Sequence, residues 1–110
     1  MMNTKLDKLF AACPVIPVAV IRSLDEVRPM LTALQNGGVT AVEITFRTAC
    51  ASDAIRLASE AFPNMTVGAG TVLNRAQAEE AIHAGAEFLV SPGLSPEVAV
   101  LCAEKNIPYL

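Results

Sequence analysis

The stretch Ala41-Val42-Glu43-Ile44-Thr45-Phe46-Arg47 decides the fold. Read as a strand, its period of two puts Val42, Ile44 and Phe46 on one face and Glu43, Thr45 and Arg47 on the other. One face is apolar and the other carries chemistry. In an open, doubly wound sheet both faces lie under helices and read as continuously apolar, so a polar face on a central strand is costly. In a closed (β/α)8 barrel that face turns inward, where functional side chains gather at the carboxyl ends of the strands. The heptapeptide therefore favours a barrel.

Outward from it, apolar β-branched runs begin at Val15, Thr40, Thr66, Glu87 and Ile107, a spacing of 20 to 26 residues that fits one strand and one helix each time. Helix signals fall in the gaps. Ser23-Leu24-Asp25-Glu26 reads as a capping box, Leu24, Val27, Leu31 and Leu34 follow as a helical stripe, and Gly37-Gly38 close it. Pro29 is discordant there and predicts a delayed or kinked start. A second helix spans about Cys50 to Ala61 and is stopped by Pro63-Asn64; a third opens at Asn74, with Gln77 three residues on, and ends at Gly85; Ser95-Pro96 opens a fourth. Strands alternating with helices imply an α/β class with parallel pairing. A whole barrel needs roughly 200–250 residues, and the 110 residues here supply four βα units and the start of a fifth strand. The expected architecture is one domain, residues 1–110, forming the amino-terminal half of a (β/α)8 barrel.

Composition removes whole classes of function. With 53% hydrophobic and 17% charged residues the chain is not intrinsically disordered. Charges at Arg22, Asp25, Glu43, Arg47, Asp53 and Arg56 break every run long enough to cross a membrane. The apolar stretch around Pro14 to Ile21 contains two prolines and reads as a strand, not a signal peptide, which predicts a cytoplasmic chain. A net charge of −3 with scattered signs offers nucleic acid no basic stripe. Cys13, Cys50 and Cys102 are odd in number and lack CxxC spacing, so neither a disulfide framework nor a zinc site is expected; they read as core fillers.

Glu43 and Arg47 stand four residues apart, roughly 13 Å by strand rise, too far for an automatic pair, so each needs its own partner. A ligand carboxylate suits a guanidinium, and a carboxyl group inside a barrel has the low-dielectric setting that raises its pKa toward a useful value. An internal ion pair bridged by other strands is the alternative. Gly68-Ala69-Gly70-Thr71 follows a strand, but Leu73 replaces the third glycine of a dinucleotide fingerprint, which leaves a tight turn or a site loop. Ser91-Pro92-Gly93 lies just past the fourth strand, either an ordinary turn or a ligand loop. His83, with Glu79 and Glu80 before it, lacks a second ligand contributor and reads as a solvated helix face. No motif activates Cys50 or Cys102 as a nucleophile.

Taken in order, VIPVAVI, GGVTAVEITFRT, VGAGTVLN, AGAEFLVSPGLSPEV and NIPYL resemble the amino-terminal half of the KDPG aldolase family, from Val15 to Leu110. The resemblance implies a class I aldolase that cleaves 2-dehydro-3-deoxy-6-phosphogluconate to pyruvate and glyceraldehyde 3-phosphate, often also acting on 4-hydroxy-2-oxoglutarate. It uses a lysine Schiff base and no metal or other cofactor. Glu43 matches the family's general acid/base, Arg47 and Thr71 the residues that hold the pyruvyl carboxylate, and Pro92 a position beside the substrate. The glycines before Thr71 are implied to let substrate approach. The resemblance further implies a small 2-oxo acid as the partner and a homo-oligomer, commonly a trimer. The family's Schiff-base lysine lies on a later strand, so Lys5, Lys8 and Lys105 do not match it, and this chain alone is expected to be inactive. Two other readings stay open: a half-barrel that binds 2-oxo acids or self-assembles, and a different barrel enzyme such as an epimerase.

Overall fold

A computed structural model describes residues 4–12 and 15–110. Cys13 and Pro14 lie outside the described residues. The elements are α1 (Thr4–Ala12), β1 (Val18–Ala19), a 3-10 turn (Leu24–Glu26), α2 (Val27–Asn36), β2 (Ala41–Thr45), α3 (Ala51–Ala61), β3 (Thr66–Gly70), α4 (Arg75–Ala84) and α5 (Pro96–Lys105). The predicted helices all form. α1, which the sequence reading did not anticipate, precedes them.

The strands pair in parallel in sequence order, β1 beside β2 beside β3. The register sets Val18 against Glu43, Glu43 against Gly68 and Thr45 against Gly70. The two further strands expected at Glu87 and Ile107 are reduced to single parallel bridges, Ala69 to Leu89 and Leu89 to Tyr109. Their backbones still continue the ladder: Val90 N donates to Ala69 O at 2.8 Å, and Leu110 N donates to Leu89 O at 2.9 Å. The first strand is short because Pro17 stands at its entry and contributes only an acceptor, taking a bond from Glu43 N at 2.9 Å.

The two faces of the sheet are as different as the alternation in β2 predicts. Val42, Ile44, Val67, Ala69 and Leu89 turn to the helices and pack with Val27, Leu31, Ile55, Val98 and Leu101 in the main core. The other face holds a smaller cluster near the amino ends of the strands, where Leu9 of α1 meets Ala41 and Phe88. Above it, toward the carboxyl ends, stand Glu43 and Thr45.

Pro29 explains how α2 begins. The Ser23 side chain accepts from Asp25 N at 3.4 Å and opens a 3-10 turn, not the α-helical capping box. The α-helix starts only at Val27, which puts Pro29 in its first turn, where a missing N–H costs nothing. Leu24 consequently leaves the buried stripe and is exposed. In α4 the Asn74 side chain accepts from Gln77 N at 2.9 Å, while the Gln77 amide oxygen accepts from Leu73 N at 2.9 Å, one residue further back than in the standard box. Gly85 ends α4 with φ +115°, and its lack of a Cβ also makes room for Ser59 of α3. The Ser95 side chain caps α5 at Val98 N, with Pro96 in the first turn.

Cys102 is buried in the main core, and burial pushes its thiol pKa up, which keeps it protonated and inert. Cys50 is half-buried and donates to Ile21 O at 3.2 Å. Glu79, Glu80 and His83 are exposed on α4, with Glu79 bonded to Arg75 at 2.9 Å. Among the described residues no group of His, Cys, Asp and Glu could hold a metal ion, and no helix is long and apolar enough to cross a membrane.

Candidate active site

The carboxyl ends of β2 and β3 build one small site. β2 ends at Thr45, so Arg47 lies in the turn that follows and not on the strand face expected from period two. The turn brings its side chain back over the sheet, and the strand-rise separation of Glu43 and Arg47 no longer applies. Three bonds fix the turn. Phe46 N donates to Gly70 O at 2.8 Å, while Thr48 Oγ1 at 2.6 Å and Cys50 Sγ at 3.2 Å both reach Ile21 O. The Arg47 Nε then donates to Thr71 Oγ1 at 3.2 Å. That bond uses one edge of the guanidinium and leaves its terminal NH2 groups for a carboxylate.

Glu43 projects from the middle of β2 and lays its carboxylate on Gly70. A Cβ at Gly70 would coincide with Glu43 Oε2, so only glycine admits this side chain. Gly68 does the same for the Phe88 ring. The two glycines of the Gly-Ala-Gly run therefore receive protein side chains, where the family resemblance suggested direct approach of substrate. The Glu43 carboxyl pKa is raised above its ordinary value, chiefly by burial; Arg47 opposes the shift without closing a direct ion pair.

Thr71 carries the backbone anomaly of the site. It is a β-branched residue with φ +55°, in the left-handed region that disfavours such side chains. Its neighbours hold it there: Val72 N donates to Val90 O at 3.1 Å and Ser91 Oγ donates to Val72 O at 2.6 Å. The last bond also ties the loop of Pro92 to that of Thr71. Pro92 itself is exposed and stands at the rim. Because the strain is worth ~1–3 kcal/mol, Thr71→Gly is expected to be more stable in urea melts than Thr71→Val by about 1–2 kcal/mol, although both lose the hydroxyl that Arg47 binds. Equal midpoints for the two would mean that the left-handed geometry is not strained.

Glu43, Arg47 and Thr71 thus meet, Pro92 flanks them, and neither described lysine side chain approaches. Lys8 lines a cavity of about 510 Å³ with Thr40 and Thr66, at the amino ends of the strands, and Lys105 is exposed at the end of α5. Sequence reasoning missed three contributors: Gly70 as the seat of Glu43, and Thr48 with Cys50 as the anchors of the Arg47 turn. The register that makes Gly70 matter is a property of two paired strands, and neither strand carries it alone.

This arrangement sits in a chain whose residues 6–110 match the family model for KDPG and KHG aldolase. The KHG/KDPG aldolase of Escherichia coli (strain K12) is 43% identical over 108 residues, covering 98% of this chain and 51% of that protein. The solved 2-keto-3-deoxy-6-phosphogluconate aldolase of Zymomonas mobilis ZM4 with 3-phosphoglycerate superposes with TM-score 0.91 at 37% identity, over 99% of this chain and 52% of its own. The KDPG aldolase of Legionella pneumophila, with pyruvate captured as a covalent carbinolamine intermediate, gives 0.87 at 40% identity, over 93% of this chain and 50% of its own. The chain spans about half the length of the relatives that it matches. Sequence likeness and fold likeness run through the same strands that carry Glu43, Arg47 and Thr71, and the chain belongs to the KDPG and KHG aldolase family.

Proposed function

We propose that these residues are the amino-terminal half of a (β/α)8 barrel, and that the complete polypeptide is a class I aldolase. It would split 2-dehydro-3-deoxy-6-phosphogluconate into pyruvate and glyceraldehyde 3-phosphate and also act on 4-hydroxy-2-oxoglutarate. The observation that carries the reading is the Glu43 carboxylate, seated on Gly70 with its pKa raised, beside an arginine that Thr71 holds in place.

In this reading a lysine outside the described residues attacks the 2-oxo carbon of the substrate. Glu43 moves the proton that turns the carbinolamine hydroxyl into leaving water. In the resulting imine Glu43 takes the proton of the C4 hydroxyl while the C3–C4 bond breaks, and the electron pair passes into an enamine. The aldehyde leaves, the protonated Glu43 returns its proton to C3, and hydrolysis releases pyruvate. A carboxyl group with a raised pKa suits both directions of transfer. Arg47 and Thr71 hold the substrate carboxylate, the arginine through its paired NH2 groups and the threonine through its hydroxyl. Pro92 lines the rim. No metal or cofactor enters, the location is cytoplasmic, and the enzyme is a homo-oligomer, a trimer in keeping with the family resemblance.

Intact-mass analysis after incubation with pyruvate and borohydride tests the reading. A trapped pyruvate on a chain heavier than 11.6 kDa is the expected result, and a heavier chain that traps none would overturn it. Arg47→Ala in that parent should raise the pyruvate concentration needed for half-trapping by roughly ten- to a hundredfold, the loss of a charge-assisted contact of about 1.5–3 kcal/mol. An unchanged requirement would remove Arg47 from the site.

A second reading draws on the sheet face itself. Val18, beside Glu43 in the register, is 59% exposed. A half-barrel that self-associates would cover it. Concentration-dependent association of an 11.6 kDa chain that traps no pyruvate would favour it.

A further inference from the structure

The β2 residue Thr45 is completely buried, and its hydroxyl finds no hydrogen-bond partner among the described residues. Buried polar groups of this kind are rare because the donor and acceptor both lose water without compensation. Valine has the same shape and would carry no such penalty. Among the described residues Thr45 is the buried polar one, in an interior otherwise built of aliphatic side chains, Met65, Cys102 and Phe88.

Its position narrows what the hydroxyl can do. Thr45 is the register partner of Gly70 and lies two residues along β2 from Glu43, on the same face. The Glu43 carboxylate leans onto Gly70. The threonine thus stands on the face over which the carboxylate leans, beside the glycine that seats it. A threonine is nearly symmetric about χ1, so exchanging its methyl for its hydroxyl moves an O–H toward that seat without repacking the core. The hydroxyl has what an acid/base needs from a neighbour: it donates to a carboxylate and accepts from a carboxylic acid.

We propose that Thr45 is a positioning residue for Glu43, its hydroxyl turning to hold the carboxyl group over Gly70 in both protonation states. The proposal rests on Glu43 being the acid/base assigned above. The other groups around Glu43 leave the part open. Arg47 is the charged residue acting on it; β1 presents Val18, β3 presents Gly68 and Gly70, and Phe88 adds only a ring.

The test is the carboxyl-carbon NMR titration of Glu43 in the 110-residue chain and in Thr45→Val and Thr45→Ser. A donor to a carboxylate that is lost on Thr45→Val leaves the charged form less stabilised, so the midpoint should rise by about one pH unit. Thr45→Ser keeps the hydroxyl and should titrate as the parent does. A Glu43 midpoint that does not move in Thr45→Val, or that moves equally in Thr45→Ser, overturns the proposal. Pyruvate trapping by the intact parent separates the two readings: a coupled titration without trapping would sink the aldolase assignment and leave the coupling standing.

Discussion

Glu43→Gln in the intact parent is expected to lower turnover by roughly 10²–10⁴-fold, the usual worth of a positioned general acid/base, while half-trapping of pyruvate changes little. Glutamine keeps the size and the seat on Gly70 but cannot carry a proton between the substrate hydroxyl and C3. Arg47 and Thr71 remain to grip the carboxylate. A variant with normal turnover would remove Glu43 from the chemistry. The same substitution has a thermodynamic signature in the 110-residue chain. Because burial raises the Glu43 pKa in the folded state, the folded chain holds this proton more tightly than the unfolded one. The resulting stabilisation is fully present below the ordinary value of 4.5 and is lost as the pH rises through the native value. Glu43→Gln has no such loss, so its stability relative to the parent should climb across that window and level off above it. A difference that is flat with pH would mean that the carboxyl group is not held out of water.

Gly70→Ala should be nearly as damaging to turnover, roughly 10²-fold or more, with a stability change of no more than about 1–3 kcal/mol. The added methyl falls on Glu43 Oε2, at the end of a flexible side chain that can swing aside. The fold can yield, and the acid/base geometry cannot, since proton transfer demands hydrogen-bond reach of the reacting group. Gly68→Ala makes the opposite trade, because its methyl meets the ring of Phe88, which has no exposed surface into which to move. Stability falls there before activity does. The combination Glu43→Gln with Gly70→Ala should be little worse than either alone, as both act through one carboxyl group. Additive losses would show that Gly70 matters for some reason other than seating Glu43.

The α/β class and the helices after residue 22 were legible because their signals are local: Pro96 in a first turn, Gly85 past a last one, Asn74 with Gln77, and a two-residue alternation in β2. Where an expectation bent, a second local preference had competed with the first. Ser23 and Glu26 favoured an α-helical start, and Pro29 deferred it until its missing N–H did no harm. The fourth and fifth strands were read in the right places and direction but shrank to bridges at Leu89 and Tyr109.

The candidate site divides along the same line. Residue type and alternation alone put Glu43 on the polar face of a strand and left Arg47 suited to a carboxylate or to an internal ion pair, since these are properties of one short segment. Only the folded chain decided that Arg47 leaves the strand and turns back to Thr71, that Gly70 is where Glu43 rests, and that Thr45 is buried without a partner. Each of those facts depends on the register between β2 and β3 and on the turn between them. A strand's own residues set which way its side chains point, but pairing with a neighbour 20 or more residues away sets what they meet.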